Sequence, residues 1–307
     1  MMKTYYEKKR GDRRDGWKLR DVPLFFKVAP FVMRTRLDSQ NYYEETLDVE
    51  PMMEFLRAHK DDMPNVTMMT IFVAAMVRMF SQRPALNRFV VHNILYAHNS
   101  IEISIAIKRN MSDDGEETMI KPSFDPRDTL PDVQRRLEEA IAEAMNHEEG
   151  TGIDGVAGWL GKLPAFLFRF AVSLIHFLDN NGWLPRKLTQ ASPWHCSAMF
   201  TNVGSLGIGP IYHHLTELGT YSCFIAMGKR ERQTVYDENG EASVAMEISM
   251  ELWAYSLLCT TNRFSAGRWL IIRTIAATKM VIIERLGISS LCAFMKSIIG
   301  SASSVSA

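Results

Sequence analysis

Apolar and polar positions along the first 250 residues repeat with two periods, two and about 3.6, which predicts a chain mixing strands and helices. The clearest period of two is IEISIAIK, residues 101–108. Ile101, Ile103, Ile105 and Ile107 fall on one face, with Glu102, Ser104 and Lys108 opposite. QNYYEETLDV (40–49) is rich in Tyr, Thr and Val and reads as a strand, and FVVHNILYA between Asn87 and His98 adds one or two more. TMIKPSF returns after the acidic turn SDDGEE, predicting a hairpin with 101–108. In the second half HCSAMFTNV precedes the loop GSLGIGP. YSCFIAMGKRERQTVY then turns at DENG and returns as ASVAMEISM, a long β-hairpin.

Three segments carry the helical period. VTMMTIFVAAMVRMFSQ, with Asn65 as the expected N-cap and Pro84 as terminator, is apolar around nearly its whole circumference and should be buried on most sides. Thr129 followed by Asp132 resembles a capping box, and Val133, Leu137, Ile141 and Ala144/Met145 make one apolar stripe opposite Arg135, Glu138, Glu139 and Glu143. PAFLFRFAVSLIHFL (164–178) is the most lipophilic stretch. It is shorter than the roughly 20 apolar residues of a bilayer span and carries Arg169 and His176. A helix buried in protein or at a subunit contact is the expectation, with a membrane-surface helix as the alternative. Near the start, PLFFKVAPFVM is a short apolar segment that Pro30 should kink or end.

Composition narrows this picture little. The 307 residues hold 47% apolar side chains, enough for a substantial core, and 35 basic against 35 acidic groups. That balance gives no reason to expect nucleic acid. The 19 methionines read as core filler. Cys196, Cys223, Cys259 and Cys292 form no CxxC pair, so neither zinc nor a disulfide framework is expected. The opening MMKTYYEKKRGDRRDG lacks an apolar core, so no secretory signal is read there and a cytoplasmic location is expected.

The order of several segments resembles the catalytic domain of 2-oxo acid dehydrogenase dihydrolipoamide acyltransferases and their stand-alone bacterial relatives, the chloramphenicol-acetyltransferase-like family. RPALNRFV (83–90) is similar to the family's helix-end segment with Pro-x-Leu-Asn. FTNVGSLGIGPIYHHL (200–215) resembles its Ser/Thr-Asn-x-Gly-x-x-Gly strand and loop. FIAMGKRERQTVYDENGEASVAMEISM (224–250) resembles the strand pair that follows. The resemblance implies an α/β fold, a chloramphenicol-acetyltransferase-like two-layer sandwich of mixed sheet and helices. It also implies a homotrimer with active sites between subunits, and acyl transfer between coenzyme A and a thiol or hydroxyl acceptor, both small molecules. No metal is implied.

Such a reaction needs a base, because an unperturbed thiol is mostly protonated at neutral pH, and a donor for the developing oxyanion. By the resemblance Thr201 is that donor, with Asn202, Gly204 and Gly207 as substrate-binding positions; an ordinary β-branched strand residue is the alternative for Thr201. The family's base is the His of a C-terminal His-x-x-x-Asp-Gly motif, and this sequence has none. The last His is His214 and the last Asp is Asp237. His213-His-Leu-Thr-Glu217 is the nearest imitation, so His213 and His214 are the remaining candidates. His195, read as lying on Thr201's strand six residues earlier, would be about 20 Å away and too far to share a substrate.

Composition changes after Met250. Residues 251–307 carry six basic and two acidic side chains, and WLIIRTIAATKMVIIERLG within them reads as a basic helix that packs on a core or lies on a membrane. The expected organisation is a basic arm (1–21), an acyltransferase-like domain (22–250) and a divergent or frame-shifted tail (251–307). Without the base, catalysis should be impaired. A non-catalytic binding or assembly module and a peripheral membrane protein are the alternatives.

Overall fold

A computed structural model describes residues 8–108, 117–146, 164–236 and 242–255. The acidic turn, the DENG turn and the basic helix read in the tail lie outside them.

Two sheets form the frame. β1 (Gly16–Lys18), β3 (Arg88–Val91) and β4 (Ile94–His98) make a three-stranded antiparallel sheet in the order β1-β4-β3. The β3–β4 turn is His92-Asn93, both at positive φ (51° and 61°), the geometry of a two-residue type I′ hairpin, which Asn tolerates well. The larger, seven-stranded sheet runs β2 (Gln40–Asp48), β10 (Ala242–Tyr255), β9 (Cys223–Tyr236), β8 (Ala198–Asn202), β5 (Ile101–Lys108) and β6 (Glu117–Ile120), with β7 (Ser123–Phe124) also on β5. β5–β8 and β8–β9 are parallel; the other pairings are antiparallel.

Register decides what each face carries. Ile103 pairs with Ala198 and Ile105 with Phe200, while Met199 pairs with Phe224 and Thr201 with Ala226. Ile101, Ile103, Ile105, Ala198, Phe200, Ile225 and Met227 therefore point to one side. There they pack against α3 (Met68–Gln82) and α4 (Leu130–Asn146) in the main core. Ser104, Met199, Thr201, Phe224 and Ala226 point to the other side.

α3 is buried over most of its circumference, as its pattern predicts, but its N-cap is Thr67, not Asn65. Thr67 and Thr70 exchange side-chain-to-backbone hydrogen bonds, a reciprocal box with Thr in place of the usual Glu or Gln. α4 begins at the Thr129–Asp132 pair, where the Thr129 amide and hydroxyl both donate to the Asp132 carboxylate. Pro30 lies inside the last turn of α1 (Leu24–Val32), which ends two residues later. α2 (Glu50–Ala58) follows β2. α5 (Ala165–Asn180) and α6 (Arg186–Ala191) lead into β8.

Candidate functional site

β8 ends at Thr201-Asn202, and a 3-10 turn, Val203–Leu206, starts on Asn202. Two glycines fix the chain there. A Cβ on Gly204 would lie 2.3 Å from the Gly228 carbonyl oxygen, so β8's exit and β9 approach at a distance only glycine permits. Gly207 (φ 76°) closes the turn in the left-handed region and is exposed. Of the positions expected to bind substrate, Gly204 thus has a packing reason and Gly207 a turn reason, while Asn202 stands half-buried beside Thr201.

From Gly207 the chain runs as a strap across the second face of the sheet. The Lys229 amide donates to the Ile208 carbonyl at 2.9 Å. Tyr212 meets Tyr42 edge to face at 6.0 Å, and its hydroxyl lies 3.4 Å from Glu44 Oε2 on β2. Leu215 is buried with Tyr221, Phe224 and Ala226. Arg36 pins the far end: its guanidinium donates to the carbonyls of Thr216, Gly219 and Tyr221, and its amide to Glu217. The Glu217 that completes the imitation motif is therefore a strap anchor.

His213 sits on this strap with its ring stacked flat on Phe224, 4.5 Å between centroids and 3° between planes. Its Nδ1 is 2.7 Å from the His214 carbonyl. A carbonyl only accepts, so Nδ1 carries a proton. Phe224 and Thr201 are diagonal neighbours on one face, with Cα atoms about 8 Å apart by strand spacing and rise. Thr201 is half-buried, and its hydroxyl makes no hydrogen bond to another described residue. The Thr201 hydroxyl and the His213 ring thus lie over one face of the sheet. His214 stacks on His213 at 4.9 Å and is exposed.

His195 corrects the sequence reading. It lies in the turn before β8, which starts only at Ala198, so it is not a member of Thr201's strand. It is buried in a polar line that sequence reasoning missed. His195 Nε2 donates to Asp179 Oδ1 (3.1 Å), and Ser192 Oγ lies 2.8 Å from Nδ1. Arg13 Nη2 reaches the same Asp179 oxygen at 2.7 Å and bonds Asp15 through Nε and Nη2. Burial pushes the Asp179 carboxyl up, but His195 and Arg13 outweigh it and hold the group well below the usual carboxylate range. The Ser–His–Asp order imitates a hydrolase triad, yet Ser192 and His195 are buried and Arg13 already compensates the carboxylate. Its place is structural: it ties the N-terminal residues to α5 and to the entry of β8. Lys121 adds to this by donating to the carbonyls of Thr189, Ser192 and His195. No local pattern marks the link between Arg13 and Asp179, because the two are 166 positions apart.

The sequence matches no protein-family model and no curated protein. Solved structures do resemble the fold. A probable dihydrolipoamide acetyltransferase from Listeria monocytogenes superposes with a TM-score of 0.51 at 12% identity, over 85% of this chain and 94% of that one. A chloramphenicol acetyltransferase gives 0.50 at 8% identity, over 86% and 99%. The chain has a chloramphenicol-acetyltransferase-like fold. Within that fold the Thr201 face is the side of the sheet opposite α3 and α4, crossed by the strap.

Among the described residues no helix is long and apolar enough to cross a membrane, and no cluster of His, Cys, Asp and Glu could hold a metal ion. α5 is not buried within the chain, one part of its expectation; the subunit-contact and membrane-surface readings concern an exposed helix. Pro164 to Phe170 are all exposed, and so are Leu174 and Phe177.

Proposed function

We propose that this chain is a cytoplasmic, homotrimeric protein of the coenzyme-A-dependent acyltransferase kind, with acyl-coenzyme A as substrate and a catalytic rate far below that of an intact relative. The observation that carries the reading is Thr201, whose hydroxyl at the end of β8 has no hydrogen bond among the described residues and which matches, by the sequence resemblance, the family's oxyanion-donor position. The sequence supports the impairment, because no His-x-x-x-Asp-Gly follows. Removing a positioned general base costs about 10²–10⁴-fold. His213, with Nε2 as acceptor above Phe224, is the group left to take the thiol or hydroxyl proton.

A free-thiol release assay with acetyl-coenzyme A tests this. We expect a slow rate, lowered further in Thr201→Ala by about 10²-fold. It should rise by about 10²–10⁴-fold when residues 251–307 are replaced by a family C-terminus bearing the motif. Equal rates in the native and replaced chains overturn the impairment. Failure of either to bind coenzyme A in equilibrium dialysis overturns the reading itself. The missing base favours a second reading, a binding or assembly module on the same fold. Coenzyme A retention with no turnover in either chain would establish it.

A further inference from the structure

Four segments distant in sequence meet around one cavity of about 280 Å³. Met33 and Arg34 come from just after α1, His92 from the β3–β4 turn, Asp179 from the last turn of α5 and Glu217 from the far end of the strap. Neither Thr201 nor His213 lines it, so it is a second site, apart from the acyl-transfer face. Its volume is at the lower end of the range for small-molecule sites and suits a compact ligand.

The hydrogen bonds left unmade there say which kind. Asp179 is almost wholly buried, and the side chains that bond its carboxylate, Arg13 and His195, both reach Oδ1. Oδ2 has no hydrogen bond among the described residues. It is not one of the side-chain oxygens sealed from solvent either, so it opens on the cavity that Asp179 lines. Burial works against the charge, but His195 and Arg13 keep the carboxyl ionised at neutral pH, so this oxygen only accepts. On Glu217, Oε1 takes the Arg36 amide and Oε2 has no partner among the described residues. Of the cations that line the cavity, Arg36 is spent on the carbonyls of Thr216, Gly219 and Tyr221. The exposed Arg34 guanidinium has no bond to another described residue, nor have the rings of His92 and His176. Met33, Val90 and Val91 supply an apolar wall. An anion alone would meet two carboxylates here, and a cation alone would leave Arg34 without a partner. A zwitterion pairs both signs, through charge-assisted bonds roughly twice as strong as those a neutral ligand could make.

We propose that this cavity binds a free α-amino acid with an aliphatic side chain. The ammonium group donates to Asp179 Oδ2 and meets Glu217, the carboxylate accepts from Arg34, and the side chain lies against Met33, Val90 and Val91.

The test is isothermal titration calorimetry of the intact chain with leucine, with leucinamide, which lacks the carboxylate, and with isocaproate, which lacks the ammonium group. Leucine should bind, and each of the other two about 10–100-fold more weakly, as the loss of bonds to a charged group predicts. Serine and glutamate should bind about tenfold more weakly than leucine, for want of contact with the apolar wall. Arg34→Gln should weaken leucine about tenfold and leave leucinamide unchanged. Glu217→Gln, which keeps an acceptor for the Arg36 amide, should weaken leucine and leucinamide and leave isocaproate unchanged. Both side chains are exposed, so thermal unfolding of the variants without ligand should match the parent. No heat and no thermal shift with millimolar leucine overturns the proposal, as does unchanged leucine affinity in both variants. Leucinamide or isocaproate binding as tightly as leucine overturns it in favour of a plain cation or anion site. Inorganic phosphate binding without leucine binding overturns it in favour of a free anion, and glucose binding without leucine binding in favour of a neutral ligand. None of these readouts depends on acyl transfer.

Discussion

The two faces of the seven-stranded sheet follow different rules, although neighbouring residues of one strand supply both. On the α3–α4 face, Phe200 is buried among Ile105, Phe72, Val77 and their neighbours, an apolar contact set that is complete within the chain. One residue on, Thr201 faces the other way, half-buried, over a surface crossed by the strap, whose His213 is stacked and whose Tyr212 is mostly exposed. The closed face holds the fold; on the strapped face the Thr201 hydroxyl has no hydrogen bond among the described residues. The difference teaches that stability and chemistry can be separated along β8 at single-residue resolution. Phe200→Ala should cost about 3–5 kcal/mol in chemical denaturation, through lost transfer energy and the cavity left behind. Thr201→Ala should cost less than about 1 kcal/mol. Similar losses for the two would break the comparison.

A second test concerns how the strapped face is held at its border. Arg13, Asp179, His195 and Ser192 fasten three segments together before β8 begins. Arg13→Ala leaves the Asp179 carboxylate buried with only His195 as partner. A loss of about 3 kcal/mol is expected, at the lower end of what breaking a buried ion pair costs. A loss no larger than that of an exposed pair such as Arg57–Glu50 would show that the network merely occupies space.

Much of the closed face was legible in the sequence, because one-sided burial is written as periodicity. The isoleucines of β5, the stripe Val133–Leu137 of α4 and the Thr129–Asp132 cap all stand where spacing puts them. Thr67 was missed as the α3 cap because its reciprocal partner is Thr70, not an acidic or amide side chain. The candidate site was legible only in part. The pattern placed Thr201 on a strand, but not that the strap would lay His213 on Phe224. His195 was misplaced because the extended pattern of HCSAMFTNV begins three residues before the strand does. The run at 164–178 showed its apolarity but not which of burial in the chain, subunit contact or membrane surface applies, since hydrophobicity says nothing of what covers a helix; burial in the chain is the reading the exposure removes.

Acidity should act on the small sheet and border before the large sheet. Burial lowers His98 to about 4 from its ordinary 6.5; its Nε2 donates to the Thr220 carbonyl and its ring lies 4.4 Å from Phe89. Below pH 6.5 the unfolded chain takes up a proton that the folded one refuses. Stability from this group is thus complete above 6.5 and lost as pH falls toward 4, by at most about 3 kcal/mol. Asp179 acts in the same direction in a lower window. Its depressed carboxyl contributes above the ordinary carboxylate pKa, and that contribution goes as pH falls below it. Denaturant midpoints at pH 7 and pH 4.5 should differ by about 2 kcal/mol, and His98→Gln should flatten the change. An unaltered slope in that variant would move the source elsewhere.

The smallest expected effect on stability sharpens the comparison most. His213 touches the fold through Phe224 and a hydrogen bond to the neighbouring carbonyl, and the strap is fixed independently by Arg36, Leu215 and the Lys229–Ile208 bond. His213→Asn keeps a donor near the Nδ1 position and removes the basic nitrogen. Its stability should match the parent within about 1 kcal/mol. The residual thiol release should fall to the uncatalysed background. His214→Asn, on the exposed side of the pair, should change neither. If both variants retain the parent's rate, proton transfer on the open face does not pass through the strap. Thr201 would then act without a protein base, leaving the attacking thiol to ionise in solution before it enters the site.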